Sequence, residues 1–309
     1  AANKQLDLRS RVGLVNDAWA LVESGDLGSD ALIDILAGFR GEKNRLVLEQ
    51  IIATLQGMSD KLVEDASRPG FRAYASSILL PVARELGFEP RPRESDEAKL
   101  LRKDVLAALA VLSEDPWLTE RADKLAAAYL KDPRSVDADL AAIALRVSTR
   151  RAGDARFREL SDAARRAPTP EDHVTAVAAL GAFADARLLR RALDLMLTEQ
   201  IKIQDAFAIY GTAMSYAESR PTVLAWEKDH FAELKAKMPD FVLTRLAGAV
   251  ETICDGAARA DAAKFFAGAL KGTDAGDRGL TQALETADLC IDLRAREAAR
   301  VKKKLTKKG

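Results

Sequence analysis

Two histidines, two cysteines and a Gln-Asp pair are the residues of this chain best placed to do chemistry. His173 lies in PEDHVTAV and His230 in EKDHFAEL. Neither has a second histidine four positions on, so H-E-x-x-H, which turns two imidazoles to one helix face around zinc, is absent. Each is expected to cap or pack rather than ligate. Cys254 and Cys290 are too few for a disulfide scaffold or a cysteine zinc site. They are expected as two buried thiols in a reducing compartment. There is no G-x-x-x-x-G-K-[ST], G-x-G-x-x-G or G-x-S-x-G, and no D-D-x-x-D run. Gly272, Gly276 and Gly279 sit among Asp and Thr as in an ordinary loop, and Asp137 and Asp139 suit a solvated helix. No catalytic residue and no metal ligand is expected within this chain.

Gln204 and Asp205 interrupt an apolar stretch, IKIQDAFAIYGTAMSYAESRPTVLAWE, over residues 201–227. The Ala206, Phe207, Tyr210, Met214 series begins just after Asp205. Asp205 is therefore read as an N-cap, accepting an orphan backbone N–H. Pro221 suits the first turn of the following helix.

The elements that must hold these residues are helical. Val12, Val15, Trp19 and Val22 recur at helical spacing, as do Leu101, Val105, Leu109 and Leu112, and again Leu188, Leu189, Ala192, Leu195 and Met196. Aromatics are only 6% of the 309 residues and strand alternation is missing. Turn-forming clusters fall at 24–30, where Ser29 or Asp30 is the expected N-cap, and at 87–99, with Ser95 starting the next helix. They recur at 113–117, 131–135, 151–154, 167–172, 183–187, 218–222, 237–240, 254–261 and 271–279. From 113 onward each helix pair takes roughly 30–40 residues, the period of helical solenoids. GDARFRELSDAARRA (153–167) echoes ADARLLRRALDLML (184–197). The expected fold is all-α, a superhelical array of antiparallel helix pairs, HEAT- or armadillo-like and bowl-shaped, with a concave face for a partner. It is expected as one domain over 1–309, with a looser joint around 87–99.

Lys+Arg and Asp+Glu balance at 47 each, which gives no support for a nucleic-acid partner. Charges interrupt every apolar stretch, so no membrane span is expected. The stretch 294–309 carries eight basic residues and one acidic one. It is read as a solvated final helix with a frayed tail, its cations complementing the helix dipole. The start, AANKQLDLRSR, has neither initiator Met nor signal core, and reads as a fragment of something longer; a cytoplasmic address is expected.

Residues 201–234 resemble the closing part of the helical C-terminal domain of zinc aminopeptidases, the family of aminopeptidase N, puromycin-sensitive and endoplasmic-reticulum aminopeptidases. That domain shows an I-R-x-Q-D helix start, a turn, then L-A-W leading to N-W-x-x-L. The matching residues are Ile201, Gln204, Asp205, Arg220, Leu224, Ala225, Trp226 and Leu234. RVGLVNDAWALVESGDL (11–27) resembles the domain's opening, with Arg11, Leu14, Asp17, Ala18, Trp19, Leu21, Gly25 and Leu27 in place. Residues 163–197 resemble its A-x-T-P segment. Lys202 stands where the family has Arg, His230-Phe231 where it has Asn-Trp, and residues 42–50 lack the usual Trp.

The resemblance implies a domain without catalytic residues. The family's zinc, its ligands and its amine-binding residues belong to an upstream thermolysin-like domain, which this domain covers while controlling peptide access. The implied partners are that upstream catalytic domain and the peptide substrate, with no cofactor in this chain. Gln204, Asp205, Arg220 and Trp226 are the family-motif residues, expected to hold helix–helix geometry. The isolated chain is expected neither to bind zinc tightly nor to cleave aminoacyl substrates. The alternative is a stand-alone helical-repeat adaptor that binds protein partners. An all-helical enzyme with its own site would need a convergent charged cluster in a closed pocket.

Overall fold

The computed structural model describes residues 5–271 and 276–306. Among these residues every regular element is helical, as the periodicity implies. The chain divides into two compact units, one formed by Ala1–Ser148 with Ala295–Gly309 and the other by Thr149–Arg294.

The first unit contains α1 (Leu8–Ser24), α2 (Ser29–Ala37), α3 (Arg45–Lys61), α4 (Arg68–Leu86), α5 (Asp96–Leu112), α6 (Pro116–Lys131) and nearly all of α7 (Ala138–Thr149). Local sequence sets most helix starts. Asn44 accepts from Leu46 N–H, Ser95 from Ala98 N–H and Asp115 from Trp117 N–H. Alternate helices run the same way. Asn16 of α1 meets Gln50 of α3, and further along Glu23 meets Lys61, 2.6 Å apart. Val15, Val22, Leu48, Ile51, Leu55 and Met58 fill the space between, all 1% exposed or less.

Two connecting stretches of the first unit are held by particular residues. The chain also breaks between α2 and α3, where Gly41 has φ 81°, a conformation that only glycine adopts freely. The segment 87–95 lies inside the first unit. Arg102, 2% exposed, donates to the carbonyls of Leu86 and Gly87 and to both oxygens of Glu94. Its guanidinium holds the Glu94 carboxyl below the usual range.

The second unit contains α8 (Asp154–Arg166), α9 (Pro170–Leu180), α10 (Ala186–Asp194), α11 (Ile203–Met214), α12 (Arg220–Lys237), α13 (Asp240–Ala247), α14 (Gly256–Ala269) and the first part of α15 (Gly276–Thr306). Prolines open α9 and α12 in their first turns. Here too alternate helices are parallel. Arg187 of α10 bonds Asp154 of α8 at 2.7 Å, while Lys228 and Lys235 of α12 reach Asp261 and the Ala269 carbonyl of α14. These pairs are 33, 33 and 34 residues apart, within the period expected from the spacing of the breaks. The echoed D-A-R segments open α8 and α10, the two helices that Arg187 and Asp154 join. Between α9 and α11 the approach is close. A Cβ at Gly181 would fall 2.1 Å from the Ile209 carbonyl oxygen.

The cysteines overturn an expectation: Cys254 and Cys290 form a disulfide, with Cα atoms 5.0 Å apart. They join the turn before α14 to the middle of α15. Their separation of 36 residues hid the pairing. The end of α15 is also more than a solvated helix. Ala298, Val301 and Leu305 are at most 9% exposed in the core of the first unit, while Lys302 and Lys303 face outward. The tail at 307–309 lies outside the described residues.

Candidate functional site

The motif residues Gln204, Asp205, Arg220 and Trp226 all fall on α11 and α12 of the second unit. Asp205 is not the N-cap. Lys202 holds that position in extended conformation, and Asp205 lies within the first turn of α11. A carboxylate there still complements the helix dipole. Its Oδ2 stands 3.8 Å from His173 Nε2, while His173 Nδ1 is 2.9 Å from the Ala164 carbonyl at the end of α8. The imidazole thus bridges three helices, a packing role. Gln204 is exposed and stands apart from this contact.

Arg220 and Trp226 both act at helix junctions. Arg220, the first residue of α12, donates from Nε to the Met214 carbonyl at 2.9 Å, closing the C-terminus of α11. Trp226 is fully buried, its Nε1 donating to Asp194 Oδ1 at 2.8 Å, and so ties α12 to the end of α10. His230 stacks on its ring, with centroids 5.1 Å apart. A second buried cation closes another corner. Arg150 donates to the Ala182 carbonyl, to Ser219 Oγ and to Glu218 at 2.6 Å, and lies over the Tyr216 ring.

The structure adds one residue that the sequence reading missed, Glu227, which has no exposed surface. A signal was present. Val223, Glu227 and Phe231 recur every four residues, so the glutamate occupies a core position of α12. Neither of its carboxyl oxygens has a hydrogen-bond partner, and neither has the buried hydroxyl of Tyr210 on α11. Burial pushes the Glu227 carboxyl up to about 8 and the Tyr210 phenol well above its ordinary range.

Two grooves lie among the described residues. The larger, of volume about 820 Å³, runs along α4 past Arg72, Ser76, Leu80 and Arg84 to Glu114 and Asp115. Its charges are engaged: Arg72 pairs with Glu114, Arg84 lies 3.6 Å from Asp115, and Asp115 caps α6. The smaller, about 400 Å³, lies beside the start of α11 between Ile201, Lys202, Ile203 and Lys237. Glu227 lines neither. Among the described residues no group of His, Cys, Asp or Glu side chains has the arrangement to hold a metal ion. The described residues therefore do not fit zinc, and no step of chemistry is assigned to a metal among them. No described helix is long and apolar enough to cross a membrane.

A family model described as "ERAP1-like C-terminal domain" matches residues 1–289. Aminopeptidase M1-B of Oryza sativa subsp. japonica is 27% identical over 92% of this chain and 33% of its own length. Aminopeptidase M1 of Arabidopsis thaliana is 24% identical over 78% of this chain and 28% of its own. Aminopeptidase 2 of Candida albicans is 22% identical over 76% and 26%. The chain thus spans about a third or less of the length of these relatives.

Proposed function

Because the chain belongs to the family of the ERAP1-like C-terminal domain, we propose that it is the non-catalytic helical domain of a zinc aminopeptidase. On this reading the parent protein removes N-terminal residues from peptides. Zinc and its ligands lie in an upstream catalytic domain, and this chain covers that domain's active site and controls which peptides enter. The observation that carries the reading is the family match over residues 1–289, in relatives about three times as long. The motif residues agree with it. Arg220 closes one helix end and Trp226 locks two helices together, which is architecture rather than chemistry.

The test uses the full-length natural protein and a version lacking residues 1–309. Hydrolysis is measured on a single aminoacyl amide and on peptides of increasing length. Loss of length discrimination, with turnover of the small substrate retained, supports the reading. An unchanged length profile overturns the gating role, and zinc-dependent hydrolysis by the isolated chain overturns the non-catalytic one.

The proposed cytoplasmic address can be tested separately. In a reducing compartment Cys254 and Cys290 stay as thiols, whereas the disulfide is the form expected of an oxidising one. The mass of protein alkylated at the moment of lysis distinguishes the two.

A further inference from the structure

We propose that Glu227 and Tyr210 form a pH-sensitive latch between α11 and α12, closed while the Glu227 carboxyl holds its proton and released when it ionises. The proposal does not depend on the aminopeptidase reading.

The latch rests on placement. Glu227 has no exposed surface and sits between Val223 and Phe231 in the apolar stripe of α12. The Tyr210 hydroxyl is near enough to act on the carboxyl, though none of these three buried oxygens has a hydrogen bond of good geometry. A neutral acid and a phenol each carry one O–H and one acceptor oxygen, so a small rotation joins them. A carboxylate in the same place would have the Tyr210 hydroxyl as its one donor and no paired cation, and that single bond does not offset the desolvation.

Most charged groups around α12 have partners other than Glu227. On α10, Arg187 and Arg191 pair with Asp154, Arg190 with Asp229, and Asp194 accepts from Trp226. On α11, Asp205 faces His173. Arg245 of α13 and Glu251 of the following turn act on Tyr210 with opposite sign, and Asp240 opens α13 at its far end. On α14, Asp261 pairs with Lys228 and Arg259 with Asp288, and Lys264 acts on Asp261. On α12 itself, His230 bonds the Trp226 carbonyl. When the Glu227 proton leaves for solvent, the carboxylate gains hydration only if α11 and α12 separate.

The sign follows from burial. The folded-state value, about 8, lies above that of an exposed glutamate. Stability is therefore fully present below the ordinary glutamate range and is lost as pH rises toward 8.

The test measures unfolding of the whole chain by denaturant between pH 5.5 and 9, for wild type and Glu227→Gln. The ratio of their unfolding constants is expected to rise about tenfold per pH unit, then level off above pH 8. A ratio independent of pH overturns the latch. Should Glu227→Gln fail to fold, wild type alone decides. A protonated-carboxyl infrared band should persist at pH 7 and fade by pH 9, with faster amide exchange confined to α11, α12 and 240–252 after correction for intrinsic rates. Absence of that band at pH 7, or exchange that rises equally throughout the chain, overturns the proposal.

Discussion

Reducing the Cys254–Cys290 bond should destabilise the second unit far more than any surface change. The bond closes a loop of 36 residues that contains all of α14. Chain entropy alone makes that loop worth about 13 cal/mol/K, or about 4 kcal/mol at 25 °C. Two polar contacts among the described residues also join this part of α14 to α15. Arg259 and Asp288 pair at 2.7 Å but are partly exposed, a contact worth below about 1 kcal/mol. Arg294 donates to the Cys254 carbonyl at a long 3.4 Å. The perturbation is reduction of wild type, compared with a Cys254→Ser/Cys290→Ser variant so that the sulfur-to-oxygen change is controlled. The assay is denaturant unfolding followed by amide exchange resolved along the chain, because two units need not unfold together. An unfolding constant about a thousandfold larger is expected for 149–294, with 5–148 much less affected. A change below about 1 kcal/mol, or two free thiols titrated in the air-oxidised native protein, refutes the reasoning.

Gly181→Ala should be among the most damaging small substitutions, because its Cβ would meet the Ile209 carbonyl oxygen at 2.1 Å. Overpacking of this kind costs about 1–3 kcal/mol, read as a fall in thermal midpoint. Arg102→Met should cost about 3–5 kcal/mol, since it strands Glu94 and two carbonyls, and proteolysis at 87–95 should accelerate. An unchanged cleavage rate would show that Arg102 does not fasten that loop. Trp226→Phe truncates a fully buried indole and removes the N–H that Asp194 accepts; Asp194 is exposed and rehydrates, so the expected loss of about 1–3 kcal/mol in denaturant unfolding comes mainly from lost packing. Gln204→Ala, at an exposed position, should stay within about 0.5 kcal/mol of wild type in denaturant unfolding.

Much of the second unit was legible because its signals are short-range. Pro170, Pro221, Thr169 and Asp185 each mark a helix start using groups within a few residues. Asp205 misled for a related reason. An aspartate one turn inside a helix and one at its cap look alike in sequence, and only the extended Lys202 backbone separates them. Glu227 was hidden in the opposite sense. A charge on an otherwise apolar stripe reads as a solvent-facing interruption until the packing of α10, α11 and α13 shows that no solvent reaches it.

By itself the sequence determined the helical class and most helix ends, since these follow from hydrogen bonds and side-chain spacing within one or two turns. Tertiary structure decided the contacts between residues far apart. α2 begins at Ser29, but no local side chain caps it. Glu297, 268 residues away, accepts its N–H at 2.8 Å. The Cys254–Cys290 bond, the grip of Arg150 on Ser219 and Glu218, and the sealing of Glu227 beside Tyr210 are of the same kind. Each depends on which helix faces which, and that is fixed by burial of the whole apolar surface rather than by any local signal.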